Sequence, residues 1–244
     1  MVMIKETIDI NNDAFTIKIF YEKRANVRAS IRKKTIIIRI PQHLSIKEKH
    51  HQLESMKHWA IKTIRLNPEK FQQQLQKTYF NNEKIRIGNQ YYTLKIQLKN
   101  KKTSSAKIKE NTIYLDISDT LSKEQQNNHI SHLLSRCIAD KKLPELQQKI
   151  HHLNQQYFNL PVNRICFKHN KTNWGSCSQK GNINISTRLL FAPDDVFDYV
   201  CIHELAHLLE PNHSKKFWKH IENIMPDYKQ KKTWLKENGK ICRF

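Results

Sequence analysis

Two histidines four residues apart frame the most informative segment of the chain, His203-Glu204-Leu205-Ala206-His207. Four residues of α-helix turn about 400°, so both imidazoles project from one side, one turn apart. At that spacing both rings can reach a single Zn²⁺ at about 2.0–2.1 Å. Glu204 falls at the edge of the same face. It is too far round to be the natural ligand, but is placed to take a proton from an attacking water. The chain holds 13 histidines and 13 glutamates. At that composition about 0.04 matches arise by chance, so abundance alone does not account for the motif.

A catalytic zinc takes three protein ligands and keeps one position open. His213 is the candidate third ligand, six positions after His207. Pro211 ends the helix between them and lets the chain turn back. Zincins with three histidines use this spacing, usually with glycine at the turn; here Glu210 stands there. Glu210 and Glu222 are the rival third ligands. A structural zinc needs a fourth protein ligand, and no cysteine pair at ligand spacing supplies one.

Arg188 and Tyr199 have two readings each. Arg188 closes a predicted strand, where it either binds a substrate carbonyl or oxyanion or is a solvated strand-end charge. Tyr199, four residues before His203, either hydrogen-bonds a ligand or packs. Trp174 and Trp218 read as core aromatics. Cys177, in a polar loop with no histidine spacing of its own, reads as a small packed residue. Asp194, Asp195 and Asp198 suit a helix start, where acids meet the positive end of the dipole. His50-His51 and His151-His152 point to different sides of their helices and read as surface residues.

The elements that must hold these groups follow from periodicity. Thr16–Phe20, Ala29–Ile31 and Ile36–Ile40 read as strands, the last two around a basic turn from Arg32 to Thr35. Ser45 with Glu48 and Ser122 with Gln125 are helix-start pairs. Pro68 can open a short helix running to about Thr78. Ile85–Leu98 forms a hairpin around Gly88-Asn89-Gln90. Ile113–Ile117 is a further strand. Pro144 is expected to divide the helix that follows Ser122. Asn163–Lys168 reads as a strand, residues 170–181 as a loop and Asn182–Phe191 as another strand. Helices then run from Pro193 to Pro211, from about Ser214 to Met225, and on to Gly239. No internal repeat is expected. The fold class is α+β, with a β-rich basic part over residues 1–120 and a zincin-like catalytic domain over 121–244.

Composition limits the alternatives. The chain has 244 residues, 43 Lys+Arg, 22 Asp+Glu and a net charge of +21. No stretch approaches 18 consecutive apolar residues, so no membrane span is expected. The start shows no secretory signal pattern. Five cysteines without regular spacing argue against a disulfide scaffold and fit a reducing cytoplasm. Residues 1–150 carry +15 and residues 151–244 carry +6. Such an excess either contacts polyanions, nucleic acid above all, or reflects codon bias toward lysine and asparagine.

Five segments in order carry a family resemblance: Thr172-Asn173-Trp174-Gly175-Ser176-Cys177-Ser178, Gly181-Asn182-Ile183-Asn184, Tyr199 to His207, Asn212-His213-Ser214-Lys215-Lys216-Phe217-Trp218, and Met225-Pro226-Asp227-Tyr228. Together they resemble the YgjP-like metallopeptidase family, related to SprT-like and WLM zincin-type domains. The likeness is strongest over residues 160–240 and weaker at Ile38–Ser45 and Ile87–Tyr91. It implies a zincin-type core, one Zn²⁺ and peptidase activity, with His203, His207 and His213 as ligands and Glu204 as acid/base. Two positions depart from the family pattern: Asn173, commonly arginine, and Ser186, often asparagine. Both bear on substrate preference more than on metal binding.

The expected function is zinc-dependent hydrolysis of amide bonds in a protein or peptide. The alternative is a nucleic-acid-associated module, in which Arg24, Arg28, Arg32, Lys33 and Lys34 bind phosphates and the metal domain is recruited or structural.

Overall fold

The computed structural model describes residues 2–32, 34–71, 77–170 and 172–244. The chain forms two compact units, residues 1–75 and 76–244. The order of expected elements places a boundary near 120; the observed division is earlier because of where apolar side chains go. Leu94, Ile113, Leu115 and Ile117 precede residue 120, yet share one buried cluster with Ile130, Leu134 and Ile138 that follow it. A change from strands to helix along the chain is not a change of core.

In the first unit, β1 (Val2–Ile10), β2 (Asp13–Glu22), β3 (Arg28–Arg32) and β4 (Thr35–Pro41) form a sheet in the order β1-β2-β4-β3. β2 and β4 run parallel, and the outer pairs are antiparallel. Alternation turns Phe15, Ile17 and Ile19 of β2 and Ile36, Ile38 and Ile40 of β4 into the core. Asn11 and Asn12 both have positive φ, 55° and 62°, as a two-residue hairpin requires and asparagine tolerates. Helix α1 (Ile46–Leu66) packs Ala60 and Ile64 on that face. Its capping box forms as expected: Ser45 N–H and hydroxyl donate to the Glu48 carboxylate, and Glu48 N–H donates to Ser45 Oγ. Helix α2 (Pro68–Phe71) opens on the expected proline. Its expected continuation through 72–76, and Lys33 of the basic turn, lie outside the described residues.

The second unit begins with β5 (Lys84–Ile87), β6 (Gln90–Lys99), β7 (Ser105–Lys109) and β8 (Thr112–Ser118), in the order β5-β6-β8-β7. Order and pairing directions repeat those of the first sheet. β6, β7 and β8 each start and end 77 residues after β2, β3 and β4, and the helix caps Ser45 and Ser122 keep the same offset. Contrary to expectation, the chain therefore contains an internal duplication. At that offset 13 of 41 residues from Ile8/Ile85 to Glu48/Gln125 are identical. The likeness is strongest at alternate positions: Ile10/Ile87, Phe15/Tyr92, Ile17/Leu94, Ile36/Ile113, Ile38/Leu115 and Ile40/Ile117 are all buried, while many outward positions differ.

Helix α3 (Lys123–Tyr157) follows and runs through Pro144 unbroken, against expectation. A mid-helix proline costs about 3 kcal/mol. Ile130, Leu133, Leu134 and Ile138 before it, and Leu146, Ile150 and Leu153 after it, are buried in one cluster. Each such side chain stabilises by about 1.5–3 kcal/mol, so packing outweighs the defect.

A three-stranded sheet then forms from β9 (Arg164–Lys168), β10 (Gly175–Cys177) and β11 (Asn182–Ser186), in the order β10-β11-β9. Residues 170–181, expected as a loop, thus hold a strand, too short and polar to show a period. The strand expected over Asn182–Phe191 stops at Ser186, whose hydroxyl accepts from Arg188 N–H at 3.4 Å and starts a 3-10 turn, Thr187–Phe191. Helices α4 (Asp194–Ala206), α5 (Lys215–Ile224) and α6 (Tyr228–Asn238) complete the unit. Among the described residues no helix is long and apolar enough to cross a membrane.

Candidate metal centre

Helix α4 buries Val196, Val200, Ile202, Leu205 and Ala206, which fixes its rotation and directs His203 and His207 into a cleft. Its first acids anchor it elsewhere. Asp195 accepts from Val196 N–H and pairs with Lys231 of α6 at 2.5 Å, and Asp198 pairs with Lys149 of α3. α4 ends at Ala206, short of the expected stop at Pro211. The turn after it, closed by Glu210 N–H donating to Ala206 O at 3.0 Å, returns the chain so that His213 faces the other two histidines.

One nitrogen from each of His203, His207 and His213 lies within 4.8 Å of the others. His203 Nε2 and His213 Nε2 are 3.0 Å apart. His207 Nδ1 meets the Glu210 carbonyl at 3.2 Å; that bond puts the proton on Nδ1 and leaves the Nε2 lone pair available. Burial pushes the His203 pKa down to about 3, and His207, His213 and Lys232 reinforce it. The ring is thus held in the neutral, ligating form. Its Nδ1 is buried without a hydrogen-bond partner among the described residues. An unsatisfied buried group costs about 1–3 kcal/mol, so Nε2 is the one polar atom this ring can put to use. Three imidazoles converging on one point fit a divalent metal ion of borderline softness.

Two aromatic rings, absent from the sequence reading as site residues, shape the trio. Phe217, fully buried, has its ring centroid 4.9, 4.7 and 4.8 Å from His203, His207 and His213. It forms a common floor. Trp218 stacks on His213 at 5.6 Å and on Tyr228 at 5.4 Å. Their signal was the position of Phe217, four residues after His213, where a helix capped by Ser214 brings it one turn on.

Glu204 is 5% exposed, and burial pushes its pKa up to about 8. Space for it comes from Gly175 of β10. A Cβ on Gly175 would lie 2.5 Å from Glu204 Oε1 and 2.6 Å from its Cγ. The glycine of the Trp-Gly-Ser-Cys segment is thus needed because a carboxylate occupies the room a side chain would take. Gly175→Ala is expected to destabilise the protein by about 1–3 kcal/mol through overpacking; a denaturation midpoint equal to the parent's would show that Glu204 moves aside freely.

The remaining candidates resolve as follows. Arg188 is not in the cleft. Its guanidinium lies 4.0 Å from the Trp174 ring centroid and donates to the Cys242 carbonyl at 3.0 Å and to the Gly239 carbonyl. It ties the C-terminal segment to the loop before β10, a role neither sequence reading named. Tyr199 is buried, 6.0 Å from His203 and stacked on Tyr228, and burial pushes its pKa up to about 12. Among the described residues no hydrogen bond joins it to a histidine. The Glu210 carboxylate meets Ser214 Oγ at 3.5 Å and, like exposed Glu222, is outside the trio. Cys177 lines the cleft, and burial with Glu204 nearby pushes its thiol up to about 11, which disfavours a nucleophilic thiolate. Trp174 also lines the cleft.

The cleft has a volume of about 620 Å³. Its walls are Asn173 to Cys177, α4 with the trio, and Lys232 and Lys236 of α6. Glu204 is the one acid among the lining residues. In and beside β10, Trp174, Ser176 and Ser178 direct their backbone groups at β11 and its flanks, so those of Gly175 and Cys177 face outward at the sheet edge. Asn173 Nδ2 donates to the Gly175 carbonyl at 2.9 Å.

A sequence model of the YgjP-like metallopeptidase domain matches residues 25–238 of the chain. A solved structure, the crystal structure of the metallopeptidase zymogen of Pyrococcus abyssi abylysin, is similar to 40% of this chain and 96% of its own, at 23% identity and a TM-score of 0.36. No curated protein matches the sequence.

Proposed function

The chain belongs to the YgjP-like metallopeptidase family, and on that premise we propose that it is a zinc-dependent peptidase acting on extended segments of protein or peptide. The observation that carries this reading is the convergence of three histidine nitrogens within 4.8 Å beside a buried carboxylate. His203, His207 and His213 would hold one ion in a zincin-type core. Bound there, Zn²⁺ would supply Lewis acidity and a water nucleophilic near neutral pH. Glu204 accepts the proton of the attacking water and returns it to the leaving amine. A carboxyl whose proton affinity sits near neutrality suits both transfers.

An extended substrate can pair with the outward backbone of Gly175 and Cys177, as a strand adds to a sheet edge. Asn173 already donates to the Gly175 carbonyl, so binding must displace or share that bond. Lys232 Nζ lies 4.7 Å from the Trp218 ring centroid and Lys236 is one turn further along α6. Neither is ion-paired among the described residues. They favour an acidic side chain or C-terminal carboxylate. Lys232→Glu is expected to lower kcat/KM for acidic peptides on the order of tenfold relative to basic ones; an unchanged ratio would remove this lysine from specificity. Five free cysteines fit a reducing compartment, and we place the protein in the cytoplasm.

The test is cleavage of a peptide library by the full chain, lost on chelation and restored by Zn²⁺. A zinc-loaded protein that cleaves nothing would overturn the peptidase reading.

A further inference from the structure

The duplicated sheets offer an internal control. Both leave one face open, but the two open faces differ in chemistry. On β5-β6-β8-β7 the outward positions carry Lys84, Arg86, Lys95, Lys99, Lys107 and Lys109. Asp116 is the acid on the same face, already engaged by Lys99 at 2.6 Å and Lys101 at 3.5 Å. Two tyrosines stand among these cations, Tyr91 at 59% exposure and Tyr114 at 46%. Tyr114 lies directly between Lys95 and Lys107 in the strand register, and Tyr91 opposite Arg86.

Seventy-seven residues earlier both tyrosines and four of the six cations are replaced, while Lys18 and Arg32 stand where Lys95 and Lys109 do. Ala14 and Ile37 replace the tyrosines. Thr7, Asp9, Glu22 and Ser30 replace Lys84, Arg86, Lys99 and Lys107. The buried pairs stay apolar while these six outward positions differ, so packing does not explain the two tyrosines and the added cations of the second face. At the hairpin that the sequence pointed to, Arg24 is engaged by Glu22 at 3.8 Å and Lys34 by Asp13 at 2.5 Å.

We propose that the open face of the β5-β6-β8-β7 sheet binds single-stranded nucleic acid, with phosphates held by its lysines and bases stacked on Tyr114 and Tyr91. Exposed aromatic rings on a basic four-stranded sheet accept unstacked bases. A duplex keeps its bases stacked and is read by elements that enter a groove, which a flat face lacks. Tyr91 lies about 13 Å along the strand direction from Tyr114, at about 3.3 Å per residue, so the two rings serve separate bases.

The experiment is fluorescence anisotropy of a labelled 15-nucleotide mixed-sequence DNA strand with the full chain. RNA of the same sequence, the DNA duplex, heparin and phosphatidylserine vesicles are the comparison probes, at about 50 and about 200 mM salt. The single strands are expected to bind with a log–log salt slope of about −2 to −4, as three to six phosphate contacts give. Tyr114→Ala should weaken them by about tenfold or more and leave heparin unaffected, while Tyr114→Phe should preserve binding. Lys95→Glu with Lys107→Glu should weaken all polyanions, and Lys18→Glu with Arg32→Glu on the sister face should change little. Preference of single strand over duplex, whether DNA or RNA, supports the proposal. Vesicles or heparin bound as tightly with no effect of Tyr114→Ala, equal loss from the sister-face pair, or no salt-dependent binding would each overturn it.

Discussion

Glu204→Gln is expected to keep its metal and lose turnover. The amide has the shape of the carboxyl and fits the space left by Gly175, where a Cβ would lie 2.5 Å from Oε1. It cannot accept a proton from water. General-base contributions run at about 10²–10⁴-fold, and kcat should fall by that much while metal content, read by elemental analysis, stays at the parent level. An ionisable carboxyl is costlier to bury than an amide of the same size. The thermal midpoint of the variant should therefore stay at or above the parent's, which separates loss of chemistry from loss of fold. Full turnover in this variant would exclude Glu204 as the proton carrier.

His213→Ala should act on the metal instead. His213 is the exposed member of the trio, on the turn after α4, and its Nε2 stands 3.0 Å from that of His203. Losing an outer partner of a ligand costs about 10–100-fold in metal affinity, and losing a ligand itself should cost more. The variant should be isolated largely without metal, yet with a circular dichroism spectrum like the parent's, since its side chain carries none of the buried core. Stoichiometric zinc in His213→Ala would redirect the third ligand to Glu210 or Glu222. The structure argues against both: the Glu210 carboxylate turns to Ser214, and neither belongs to the converging group.

Much of the site was legible because it is local. The spacing of His203 and His207 is a property of one helix, and Pro211 with His213 is a short return. The two capping boxes were equally readable, since a side chain and a backbone amide three residues apart meet whatever surrounds them. The exact stop of α4 was not: it ends before its proline, by turn bonds the residue pattern does not announce.

What escaped the sequence involves partners distant along the chain. Gly175 is a glycine because of Glu204, twenty-nine positions later. Phe217 supports three rings from two separate segments. Arg188 reads as a substrate contact or a strand-end charge until Trp174 and the carbonyls of Gly239 and Cys242 are seen around it. Pro144 reads as a break until the burial on both sides of it is known. The duplication stayed hidden because packing preserves alternate residues and leaves the others free to diverge.

The amino-acid sequence by itself determined the chemistry on offer: two histidines and a glutamate on one helical turn, a third histidine within reach, and a strong excess of positive charge. Tertiary structure decided which groups meet. It neutralised His203 and raised Glu204 by burial, set Gly175 against the carboxylate, and sent Arg188 away from the cleft. It also gathered six cations and two exposed tyrosines on one sheet face. Local geometry follows from bonds along the chain, whereas burial and long-range contact exist only once distant segments exclude water together.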